Sequence, residues 1–98
     1  MALYSVTAAK HATLSGTTYD AISISNGCTA VEVMNRSGSA DMHFTVDGTV
    51  PAAGADNTYI VTAGQALVVP SPDANNDGIC VVAVIGNGNV YSVTGVVL

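Results

Sequence analysis

A chain of 98 residues with a formal charge of −5, 49% hydrophobic and only 9% charged residues, reads as one domain with few charges left to solvate its surface. Ordinary globular domains carry about 25% charged residues, so a neutral, moderately apolar surface points to a subunit that packs against others. With Lys10 and Arg36 as the two fixed cations against seven carboxylates, no basic patch can neutralise a phosphate backbone, which argues against nucleic-acid binding. No apolar run approaches the ~18 residues a spanning helix needs, which argues against a membrane protein.

The N-terminal MALYSVTAAKH has no basic stretch leading into an apolar one, so no secretory leader is expected. Residues 1–17 are weakly patterned and suit an extended N-terminal arm or a short edge strand, with a weak strand signal at KHATL (10–14). From Thr18 onward the strand signals dominate. Apolar runs rich in Val, Ile and Thr occur at 18–25, 30–35, 41–47, 57–62, 66–70, 78–85 and 89–98. Asn26-Gly27, Ser37-Gly38-Ser39, Asp47-Gly48, Ala63-Gly64, Asn76-Asp77-Gly78 and Gly86-Asn87-Gly88-Asn89 separate them, with Gly and Asn supplying the φ angles that reversals need. Seven to eight short strands at such spacing predict an all-β domain over 18–98, an antiparallel β-sandwich or a small barrel.

Alternation assigns the faces. Ile22 and Ile24 oppose Ser23 and Ser25; Val31 and Val33 face the core with Glu32 outward. Met42, Phe44 and Val46 face inward against His43, Thr45 and Asp47, and Tyr91 and Val93 oppose Ser92 and Thr94. The run ICVVAVI (79–85) is apolar on both faces, so it is either central in its layer or half-covered by a neighbouring subunit.

PSPDANNDGICVV (70–82) places Asp73, Asn75, Asp77 and Gly78 at the spacing that opens a calcium loop. Its twelfth position, where a bidentate Glu belongs, is Val84, inside a strand. Asp73, Asn75 and Asp77 are therefore a weak metal candidate, and a polar hairpin turn is the expectation. Asp41 and His43 share a strand face, but no nucleophile elbow accompanies them, and a solvated face is expected. Glu32 is the sole glutamate, which gives a paired-carboxylate hydrolase no obvious partner. His11 and His43 lack the ligand spacing of a zinc site. Cys28 and Cys80 show no CxxC and no leader, so reduced, packed thiols are expected over a bridge. Tyr19, Tyr59 and Tyr91 lie in strand patterns and suit core or interface positions more than sugar stacking. No catalytic residue and no cofactor is expected. Lys10, Arg36, Val82, Val84, Val97 and Leu98 are the interface candidates: two scarce cations, two residues of the two-sided strand, and an apolar chain end.

The strings VEVMNR (31–36), FTVDGTVP (44–51), DNTYIV (56–61), LVVP (67–70) and YSVTGV (91–96) resemble a family of small structural proteins of tailed bacteriophages. That resemblance implies a virion protein, of which capsid decoration (cementing) proteins are the leading kind. It implies a non-enzymatic role on the outside of the capsid, with the major capsid protein as partner and a homo-oligomer, a trimer, as the assembled form. Synthesis in the host cytoplasm and residence on the virion follow from the same resemblance. A tail or head–tail component, or a cell-surface or glycan-binding β-sandwich module, are the alternatives.

Overall fold

A computed structural model describes residues 5–14, 19–24, 28–70 and 80–97. Among them are eight strands and no helix: β1 (Ser5–Thr13), β2 (Tyr19–Ile24), β3 (Ala30–Asn35), β4 (Met42–Thr45), β5 (Tyr59–Val61), β6 (Ala66–Pro70), β7 (Cys80–Ile85) and β8 (Val90–Val97). They form two four-stranded antiparallel sheets, ordered β1-β8-β3-β6 and β2-β7-β4-β5. The arrangement is all-β and sandwich-like.

Alternating side chains build one core from both sheets. Val31, Val33, Tyr91 and Val93 come from the first; Ile22, Ile24, Met42, Phe44, Val61, Val82 and Val84 come from the second. All of them are buried, and full burial of such a side chain is worth roughly 1.5–3 kcal/mol. The core faces expected for β2, β3, β4 and β8 are those observed, while Thr45 and Ser92, expected on the solvated faces, are buried. The two-sided strand β7 lies between β2 and β4, which makes it central in its sheet. Val82 and Val84 are 0% exposed there, so these two interface candidates are core residues and no partner can reach them.

In the N-terminal segment, Ser5–Thr13 forms β1, which pairs along β8 from Ser5↔Val97 to Thr13↔Val90 with one irregularity between Val6 and Ala8. Elsewhere, strands end where side chains capture the backbone. β4 stops at Thr45, whose hydroxyl donates to the Thr49 carbonyl at 2.6 Å. Thr45 is therefore buried, not solvated as its alternation predicts. The Asp47 carboxylate then accepts from the Thr49 N–H at 3.1 Å and hydroxyl at 2.6 Å, turning the chain at Gly48, where φ is +81°.

The cysteine expectation is corrected: Cys28 is disulfide-bonded. Its sulfur lies 3.4 Å from the Ile24 carbonyl oxygen, and Ile24 registers opposite Cys80, the chain's other cysteine. Hairpin-like pairing of β2 with β7 brings together segments far apart in sequence, which spacing alone does not disclose.

A buried polar knot closes one end of the fold. Asn35 Nδ2 donates to the carbonyls of Ala40 (2.7 Å) and Val61 (3.0 Å), while Asn89 Nδ2 donates to Asn35 Oδ1 (3.1 Å) and to the Ala40 carbonyl (2.9 Å). Both Asn side chains are almost wholly buried, and their amides satisfy carbonyls that the turns leave without ladder partners. The knot ties β3, the segment leading to β4, β5 and the β7–β8 turn into one unit.

Candidate functional site

Two surfaces stand out, and both belong to the first sheet or its rim. On the outer face of that sheet, antiparallel register sets His11, Ser92 and Met34 side by side in one row, with Thr94 and Glu32 in the next. Arg36 follows β3 and is held by its N–H donating to the Val90 carbonyl at 2.8 Å. These six side chains line an open hollow of about 460 Å³. Within it His11 Nδ1 and Ser92 Oγ are hydrogen-bonded at 2.6 Å. That bond covers Ser92 and leaves it 7% exposed on a face where alternation predicts a solvated serine.

A guanidinium, a carboxylate, an imidazole and two hydroxyls around a thioether can hydrogen-bond a polar surface. The Ser92–His11 distance would also suit a nucleophile and its base. β8 and β3 are interior strands, so the donors the hollow presents are those of its side chains, Arg36 among them.

The second surface is the rim formed by β5 and β6, the outer strands of the two sheets, joined by a turn at Gly64 with φ +76°. Exposed apolar side chains occur along both strands: Tyr59 and Leu67 on their core-facing sides, Ile60 on the outer face of the second sheet, and Val68, with Met34 on the neighbouring strand, on the outer face of the first. Tyr59 stacks on Phe44 with ring centroids 5.2 Å apart and planes 22° apart, so it closes the core from the side while keeping 40% of its surface exposed.

The remaining predicted residues are dispersed. Lys10 is exposed on β1, and Val97 is 37% exposed near the end of β8. Leu98 and the calcium-like trio Asp73, Asn75 and Asp77 lie outside the described residues. Asp41 is exposed, and His43 stands between Ile60 and Ile85 in the register, an apolar setting. His11 and His43 occupy the outer faces of different sheets, so they cannot share an ion. No group of three His, Cys, Asp or Glu side chains among the described residues is arranged to hold a metal. Tyr91 is core, whereas Tyr19 is 48% exposed. The Ser92–His11 pair and the Asn35–Asn89 knot have no local signal, because each joins residues more than fifty positions apart. No protein family, curated protein or solved structure matches this chain.

Proposed function

We propose that this chain is a non-enzymatic structural protein of a bacteriophage virion, a β-sandwich that binds the outside of the capsid as a homo-oligomer and stabilises the shell. The bacteriophage assignment rests on the motif resemblance over 31–70 and 91–96. The observation that supports a contact role is the exposure of Tyr59, Ile60, Leu67 and Val68 along β5 and β6, and of Met34 on β3, on a chain with 9% charged residues. Large apolar side chains exposed on several faces of a weakly charged subunit suit contacts with neighbours. Shell reinforcement then works by multiplicity, each weak contact being repeated at every symmetry-related position. Heating expanded, undecorated capsids with and without saturating protein tests the role. A higher disruption temperature with the protein bound is expected, and an unchanged one contradicts it.

Exposed Tyr19 favours a second function, glycan binding by ring stacking. Heat of binding on titration with oligosaccharides, lost in Tyr19→Ala, would replace the capsid proposal.

A further inference from the structure

Among the described residues β6 is an outer strand that pairs with β3 and no other strand. In antiparallel pairs, residues alternate between exchanging both main-chain bonds with the neighbour and turning those groups away. The Asn35 N–H donates to the Gln65 carbonyl at 2.9 Å, which sets the phase. Along the register, Leu67 and Val69 then face Val33 and Val31 with their polar groups, while Ala66, Val68 and Pro70 direct theirs outward. Pro70, which has no N–H to give, falls in the outward set, where it leaves the bonding to β3 intact.

This edge carries no charge, and its one guard is Pro70 at the end of the strand. Natural sheets blunt an outer strand with Pro, with Lys or other charges, with bulges or with extreme shortness. β1 carries Lys10 and His11, and β2 carries Asp20. Residues 57–70, which include β6, contain no Asp, Glu, Lys, Arg or His. Four of the five side chains of β6 are exposed, Leu67 at 37% and Val68 at 40% among them.

We propose that two copies of this chain pair β6 to β6, antiparallel, about a two-fold axis through Val68, joining their four-stranded first sheets into one continuous sheet. The outward groups are self-complementary in that register. Val68 exchanges both bonds with Val68 of the second copy, and the Ala66 N–H meets the Pro70 carbonyl of the second copy, twice by symmetry. Leu67 packs against Val69 of the second copy on the core side, and the two Val68 side chains meet on the outer side, each with Glu32 on its own β3 as cross-strand neighbour, one strand back from the seam. A second copy is the occupant the charge distribution selects. Each copy carries −5, so two copies repel over most approaches, and least along a strand free of carboxylates. The pairing rests on the homo-oligomer part of the proposed function, and gives it a two-fold contact in place of the three-fold one that the resemblance implies.

Light scattering of the full chain at about 50 µM, with amide hydrogen exchange on the same sample, tests it. Twice the mass of one chain is expected, with the Ala66 and Val68 amides protected at that concentration and exchanging freely on dilution. Val68→Lys sets two like charges face to face and should weaken association at least about tenfold, while Ile60→Lys, on the outer face of the other sheet, should leave it unchanged. A larger assembly with unprotected Ala66 and Val68 amides would overturn β6 pairing and keep the homo-oligomer. A monomer at this concentration would overturn the pairing, while capsid binding would still stand or fall by its own assay. The exchange measurement needs no variant, so a misfolded Val68→Lys cannot obscure the answer.

Discussion

Tyr91 and Asp20 tie the two sheets together: the Tyr91 hydroxyl, from β8, donates to Asp20 Oδ2, on β2, at 2.7 Å. Burial, and then the Asp20 carboxylate that accepts its proton, raise the Tyr91 phenol well above its ordinary value of 10.0. A hydrogen bond to a charged acceptor is worth roughly 1.5–3 kcal/mol, so Tyr91→Phe should lower unfolding stability by about that much at neutral pH. A group whose value is raised on folding stabilises fully below its unfolded value and loses that contribution as pH climbs through the folded one. The advantage of wild type over Tyr91→Phe in urea melts should therefore shrink above pH 10.0.

The Asn35–Asn89 knot predicts a large loss from a small change. Asn89→Ala removes the donor to Asn35 Oδ1 and the Ala40 carbonyl, and the acceptor that holds the Asn87 N–H at 2.7 Å. Asn35 Oδ1 keeps the Ser37 N–H and the Ala40 carbonyl keeps the Asn35 amide, so the change deletes three hydrogen bonds at about 0.5–1.5 kcal/mol each, and a loss of about 1.5–4 kcal/mol is expected by denaturant unfolding. Gly86→Ala should act on the same knot, because a Cβ there would collide with the Asn89 side chain and press on Leu14. A near-neutral Gly86→Ala would contradict the close packing of this end.

Acid should loosen the turn after β4. The Thr49 hydroxyl, the Thr49 N–H and the Asn57 amide all donate to the Asp47 carboxylate and hold its pKa below the usual 3.8. Its contribution is complete above that value and is lost as pH falls through the lower folded value. Asp47 is exposed, so solvent keeps the effect small. Asp47→Ala should lower the melting temperature by a few degrees at most at neutral pH, and the difference from wild type should vanish in strong acid.

The Cys28 disulfide should matter more. Loss of a native disulfide typically costs about 2–5 kcal/mol, so Cys28→Ala or full reduction should each lower the melting temperature substantially and to a similar extent. An unchanged melt on reduction, with thiol release verified by mass, would count against it.

Where strand periodicity has amplitude, the sequence discloses the fold: β3 and β6 occupy the predicted 30–35 and 66–70, and Val31, Val33, Met42 and Phe44 are core. β1 is marked only weakly, at 10–14, because the positions that share a face with Tyr91 and Val93 include Lys10 and Ala12, too polar or too small to mark it. Val82 and Val84 are ambiguous from pattern alone, since a strand apolar on both sides looks the same inside a sheet or under a neighbour. Asn35 and Asn89 resemble solvated turn residues until distant segments close over them. The exposure of Ile60, Leu67 and Val68 is not legible in the sequence, because it depends on which strands end up outermost.

Co-sedimentation of the purified chain with expanded bacteriophage capsids that lack it tests the proposed capsid role most directly, with the bound copies counted per shell. Saturation at a number commensurate with the symmetry positions of the shell is the predicted result. Failure to pellet with shells at saturating concentration would contradict the capsid role.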